Sequence, residues 1–374
     1  MRVVRADLYE ISIPFNFVFS HAAAERGRSD NVVLRLLLDS GDVGYGECLA
    51  RPYVTGESAD EVCLRFQEQS LAALAGLRIA EKDAFIHFIR NVDNGLPAGA
   101  RGCLVELALI DAFGKALGLT VAEMFDRPQY PDSRYSGVLG NVNRMVRGQF
   151  LRRMAAAGLQ RVKVKVGFGA RDKDAVRQSR AVLGPDVAIG LDANAAWSAK
   201  DAVAHIAELA EFDVDFVEQP TARDDRTGLA YVTRECNADI IADETVCTIS
   251  DAEAAIRDNL CDGFNVRIGK VGGLARALAM HDLAVAHQLR YHIGALVGET
   301  GVLAAAGRHL ALMTRPQAIE GSFGDLLLVE DITRPSVRFG RGGIGAKLDG
   351  FGLGVHVCQE RIEKYQLSWR RYDL

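Results

Sequence analysis

The chain has no Cys-x-x-Cys pair and no run of five or six Lys/Arg, and none of its apolar runs is long enough to span a bilayer. Each absence excludes a class of protein. The 7 cysteines (Cys48, Cys63, Cys103, Cys236, Cys247, Cys261, Cys358) are scattered and odd in number, which argues against a disulfide framework or a zinc cluster and for buried thiols. A net charge of -5 with no basic patch repels phosphate backbones, so no nucleic-acid partner is expected. The opening Met-Arg-Val-Val-Arg-Ala-Asp-Leu-Tyr-Glu carries charges where a signal peptide needs its apolar core, so the expectation is a cytoplasmic protein without a membrane partner. What is present is 374 residues, 49% hydrophobic and 25% charged, enough for two domains.

Two textures divide the chain. Up to about residue 55, apolar alternation over 3–13 and 31–38 and the turn residues at 39–44 predict strands and hairpins. Between them, 15–30 is polar and Ser/Ala-rich and reads as an exposed loop carrying His21, Arg26 and Arg28. From 58 to about 125 the period becomes helical, so the first region is predicted as α+β. After Pro131, short apolar strands alternate with amphipathic helices, as βα units around a parallel sheet do. The predicted strands are 135–139, 161–166, 187–191, 214–217, 239–242, 263–268, 289–293 and 317–320; eight of them make a barrel the natural closure. Ser198 and Ser250 are the expected helix N-caps, and the Gly-rich segment from about 331 is expected to pack back on the first domain.

Arg161-Val-Lys-Val-Lys-Val-Gly opens the second texture. Its period of two puts Lys163 and Lys165 on one face of a strand, a pattern that a half-solvated antiparallel strand would also give. Spacing decides between these readings. Lys165, Asp192, Glu218, Asp243 and Lys270 fall at the C-terminal ends of five successive strands, at intervals of 27, 26, 25 and 27 residues. In a barrel those ends share one mouth, so the five groups converge. A lone acid there is commonly a helix cap, but five in unit spacing are hard to produce by capping. Three carboxylates without His or Cys suit a hard cation, Mg2+ first and Mn2+ second. Flanking lysines, depressed from about 10.4 by the cation and by Lys163, suit abstraction of a proton next to a substrate carboxylate, with the metal stabilising the enediolate.

Val162-Lys-Val-Lys-Val, Leu191-Asp-Ala-Asn, Val217-Glu-Gln-Pro, Ala242-Asp-Glu-Thr and Asn265-Val-Arg-Ile-Gly-Lys-Val-Gly-Gly resemble the signature segments of the enolase superfamily, in its muconate lactonizing enzyme subgroup. Gly44-Tyr-Gly-Glu and the helix over 106–118 resemble the N-terminal capping domain of that family. The resemblance implies an α/β fold, a modified TIM barrel (β/α)7β over 129–330 with an α+β capping domain over 1–128, and a C-terminal segment over 331–374 that packs on the cap. It implies Asp192, Glu218 and Asp243 as Mg2+ ligands, Lys165 and Lys270 as the acid/base pair with Lys163 assisting, and a homo-oligomer. Capping loops over the mouth make His21, Arg26 and Tyr53 candidate contacts for a small-molecule carboxylate, together with Asn194. The expected outcome is cycloisomerisation of the muconate type, or racemisation or epimerisation of an amino-acid derivative. Dehydration of a hydroxy acid and a non-catalytic carboxylate-binding barrel are the alternatives.

Two positions depart from the pattern. Family members that act on dipeptides carry Asp-x-Asp on the eighth strand, where this chain has Glu320-Gly-Ser-Phe-Gly-Asp. Glu320 stands one residue early, and such a shift would turn it to the other face. Glu299 is a substrate contact or the cap of the next helix, with the cap favoured. His292 reads as a satisfied core residue.

Overall fold

The computed structural model of the protein describes residues 1–21 and 24–374, without the side chains at 20, 21, 24, 53 and 325. The first strands are β1 (Val3–Ile11), β2 (Pro14–His21), β3 (Ala24–Arg28), β4 (Asn31–Leu38) and β5 (Val43–Leu49). Here β1, β4 and β5 form an antiparallel sheet, while β2 and β3 form a separate hairpin. That hairpin replaces the expected loop over 15–30. It is stabilised from far along the chain: the Asn16 amide donates to the carbonyls of Leu326 (3.0 Å) and Leu328 (3.1 Å). No local pattern announces such a partner.

A helix over Gly99–Leu117 lies on the sheet with nearly every residue from Ala100 to Gly114 buried. Gly44 and Gly46 permit this approach, since a Cβ at Gly46 would sit 2.0 Å from the Leu104 carbonyl oxygen.

Next come β6 (Asp132–Arg134) and eight parallel strands: β7 (Gly137–Leu139), β8 (Arg161–Lys165), β9 (Ala188–Asp192), β10 (Val214–Glu218), β11 (Asp239–Ala242), β12 (Gly263–Val266), β13 (Arg290–Ile293) and β14 (Ala318–Ile319). They lie side by side in chain order in one sheet. The Ser136 N–H donates to the Ile319 carbonyl at 2.8 Å, linking the two edges so that the sheet curls into a barrel. β8 pairs in parallel with both β7 and β9, which removes the half-solvated reading of its alternation. Its valines pack outward and Lys163 points into the buried interior. Two last strands, β15 (Ile344–Ala346) and β16 (Gln366–Asp373), return to β6 and β1, and β16 becomes an edge of the first sheet.

Two helix starts test the capping expectations. Ser198 caps Ala199–Leu209 by accepting from the Asp201 N–H. Ser250 is not a cap: the helix Ile249–Arg257 begins two residues earlier, where Thr248 and Asp251 satisfy each other's backbone N–H groups.

Candidate active site

Lys165, Asp192 and Glu218 are the last residues of β8, β9 and β10, and Asp243 directly follows β11. Lys270 lies beyond β12 on a short turn of helix, Ile268–Val271, which carries its side chain back over the mouth. The five predicted groups therefore meet at one end of the barrel. Lys165 Nζ lies 2.5 Å from Asp192 Oδ2 and 2.9 Å from Asn194 Oδ1. Lys270 Nζ donates to Asp243 Oδ1 (2.8 Å) and to the carbonyls of Asp243 (2.6 Å) and Asn265 (2.8 Å). Between the lysines stand three strand ends with their carboxylates.

Lys163 is buried among acids: its Nζ lies 2.9 Å from Glu218 Oε2, 3.1 Å from Asp192 Oδ2 and 2.6 Å from Glu320 Oε1. Glu320 thus faces the mouth, contrary to the register argument. β14 ends at Ile319, so the strand alternation has stopped before Glu320. Asn194 adopts φ 44°, a left-handed conformation in which its own N–H donates to Asp192 Oδ1 at 3.0 Å. Glu299 is not the helix cap, a role taken by Thr300; its carboxylate accepts from the Leu296 N–H at 2.6 Å and lines the cavity above the mouth. Burial pushes it up to about 8. Arg26 is paired with Asp30 at 2.9 Å and is not among the cavity-lining residues. The side chains of His21 and Tyr53 lie outside the described residues. His292 is buried as expected, edge-on to Phe216, but its Nε2 has no hydrogen-bond partner, so it is not the satisfied residue anticipated.

One residue escaped the sequence reading. The Arg267 guanidinium binds the Asp243 carboxylate and lies 3.7 Å from Glu218 Oε1, while the Asn265 amide donates to the same Glu218 oxygen at 2.7 Å. The signal was the period of two, which here runs one residue past the end of β12: Arg267 keeps an extended backbone (φ -107°, ψ 122°) ahead of the helix Ile268–Val271, so its side chain meets the same acid as that of Asn265.

The electrostatics follow from these pairs. Burial opposes the charge on Asp192, but Lys165 and Lys163 outweigh it and hold the carboxyl far below its usual range. Asp243 is lowered likewise, Arg267 and Lys270 overcoming burial. Glu218 goes the other way, pushed well above its ordinary value by burial and by the negative charge of Asp192. Among the described residues no three His, Cys, Asp or Glu side chains converge as a metal cluster, because each carboxylate of the trio is turned onto a cationic or amide side chain. The chemistry of the donor set nevertheless fits a hard divalent cation. It is all oxygen, and beyond the effect of burial, Glu218 is pushed up by the negative charges of Asp192 and Asp243, a repulsion that a cation between the three would relieve.

A family model described as enolase C-terminal domain-like matches residues 146–361. The chain belongs to this family. Within the enolase superfamily it falls in the mandelate racemase/muconate lactonizing enzyme subgroup, and it is an enzyme. The chain is 29% identical over 326 residues to the L-Ala-D/L-Glu epimerase of Bacillus subtilis, covering 84% of this chain and 86% of that one. Two solved structures share its superfamily fold. The N-succinyl Arg/Lys racemase of Bacillus cereus superimposes with a TM-score of 0.90 at 22% identity, covering 100% of both chains. A dipeptide epimerase of Enterococcus faecalis, complexed with Mg and the dipeptide L-Leu-L-Tyr, gives 0.85 at 25% identity over 95% of this chain and 99% of that one. Among the described residues no helix is long and apolar enough to cross a membrane.

Proposed function

We propose that the protein racemises or epimerises a small carboxylate by moving its α-proton between Lys165 and Lys270. The observation that carries this reading is the placement of two amines on either side of three carboxylate-bearing strand ends, each held by one of the outer carboxylates. In this reading Asp192, Glu218 and Asp243 would hold Mg2+, which would supply Lewis acidity toward the substrate carboxylate. One lysine, as the free amine, takes the proton from the α-carbon, and the C–H electron pair moves into the carboxylate. The other, as the ammonium, returns a proton to the opposite face. Lys163, held by Glu218, Glu320 and Asp192, keeps positive charge beside the site and holds those acids in place. Asn194 orients the Lys165 amine. Residues 1–128 form the cap, 129–330 carry the chemistry and 331–374 close back on the cap.

The test is proton NMR of the Mg2+-loaded enzyme in D2O with pools of N-acyl amino acids, dipeptides, hydroxy acids and muconates. The expected result is loss of an α-proton signal without new vinyl or ring-proton resonances. New vinyl or ring-proton resonances would mean elimination or cyclisation instead, whereas the signals of a diastereomeric dipeptide would be epimerisation itself; exchange that survives in both Lys165→Ala and Lys270→Ala would overturn the acid/base assignment.

A further inference from the structure

The mouth opens into a cavity of about 330 Å3, within the size range of small-molecule sites. Its two ends differ in chemistry. The floor is polar, with Lys163, Lys165, Asn194, Glu244 and Arg267 among its lining residues. The far end is walled by Phe17 and Phe19 of β2, Phe150 and Met154 of the helix Arg144–Ala156, and Phe323 and Leu326 after β14. These side chains come from three distant parts of the chain and line one cavity. The Phe17 and Phe150 rings lie 5.8 Å apart and tilted, and Phe323 meets Phe339 edge-on at 6.0 Å. The roof is tied down by the Asn16 bonds and by the Val329 N–H donating to the Pro14 carbonyl at 3.0 Å.

Several of these side chains lie open to water, Phe17 at 40% and Leu326 at 61% of full exposure. Clustered apolar groups around a concavity mark a surface that a ligand covers. The charges nearby are already engaged or belong to the floor: Lys163 holds Glu320, Asp30 holds Arg26, and Ser322 accepts from Arg308 at 3.4 Å. Among the described side chains, the charged one lining the apolar end is Arg153, exposed at the rim.

We infer that the substrate carries, on the side of its α-carbon away from the lysines, an uncharged aromatic or branched aliphatic group that fills this apolar end. The substrate class is then an N-acylated or otherwise uncharged amino-acid derivative with a bulky apolar substituent. A free ammonium at that end would be desolvated against phenylalanine rings with no acid to answer it, and a carboxylate would find only the exposed Arg153 at the rim, where water screens the pair. The inference rests on the proton-transfer reading of Lys165 and Lys270 above, and its test separates the two.

Rates of α-proton exchange by the Mg2+-loaded enzyme would be measured for matched pairs: N-phenylacetyl-L-leucine against N-succinyl-L-leucine, and N-acetyl-L-phenylalanine against N-acetyl-L-glutamate. The apolar member of each pair is expected to have the higher kcat/KM, by about tenfold or more. In Phe150→Arg the ratio between members is expected to shrink by about tenfold, and a ratio is insensitive to any fraction of misfolded protein. Preference for the charged members, or an unaltered ratio in Phe150→Arg, would overturn the inference. If no compound exchanges, calorimetric binding of the same pairs decides. Tighter binding of the apolar member, lost in Phe150→Arg, supports the cavity assignment while sinking the proton-transfer reading; tighter binding of the charged member sinks the cavity assignment.

Discussion

The barrel mouth and the junction between cap and barrel both bury carboxylates, and they compensate them differently. At the mouth, Asp192, Asp243 and Glu320 are answered by the side-chain cations Lys163, Lys165, Arg267 and Lys270. At the junction the answer is backbone. Glu47 of β5 accepts from the N–H groups of Thr300 (2.9 Å) and Leu303 (2.9 Å) at the start of the helix Gly301–Thr314, and from the Thr300 hydroxyl (2.6 Å). Glu106 accepts from the Ala275 N–H at 2.9 Å, at the start of the helix Leu274–Ala286. Two acids of the cap thus seat on the N-termini of two barrel helices, where the dipole favours negative charge. Flexible ammonium groups can be redistributed when substrate or metal arrives; helix termini cannot. One arrangement suits chemistry and the other suits holding two domains in register.

Replacing a charge on each side should expose that difference. The largest effect is expected at the mouth, where Lys165→Ala should cost at least about 1000-fold in α-proton exchange, with calorimetric Mg2+ binding retained. A small loss would mean that the cation at this position is structural, like its counterparts in other ion pairs. At the junction the largest change is in stability. Glu47→Ala strands several buried donors and should cost about 3 kcal/mol, visible as a Tm several degrees lower; an unchanged Tm would show that the junction is held by apolar packing alone.

A further effect, at the same junction, depends on pH. Burial pushes Glu106 from its usual 4.5 up to about 7, against the pull of the Ala275 N–H. Because the folded value is the higher one, the unfolded chain releases this proton first as pH rises from about 4.5 toward 7, so the contribution of Glu106 to stability falls across that window. The full penalty, about 3 kcal/mol at 1.36 kcal/mol per pH unit, is present above it. Glu106→Gln should therefore gain Tm relative to the parent at pH 8 and not at pH 5. An equal difference at both values would mean that Glu106 stays charged throughout.

Much of the mouth was legible in the sequence because two periodicities coincide there. Alternation along a strand fixes which way Lys163 points, and the length of a βα unit fixes where Asp192, Glu218 and Asp243 recur. Legibility failed where structure depends on remote partners or on an element's last residue. The β2–β3 hairpin looked like a loop because the carbonyls that hold it are 310 and 312 positions away. Glu320 was assigned to the wrong face by continuing an alternation one residue past the end of β14. Arg267 was not legible as a site residue because a guanidinium neither ligates a cation nor serves as a base near neutral pH, although its period matched that of Asn265.

The tie between Asn16 and the segment after β14 also bears on redesign. The roof over the cavity and the two carbonyls that receive it are a matched pair encoded at opposite ends of the chain. Because the acceptors are main-chain carbonyls, any residues at 324–329 that keep this backbone in place still supply them, whereas a β2–β3 graft without an amide at position 16 would lose both bonds. The wall of the cavity can thus be varied more freely on the 324–329 side than on the β2 side.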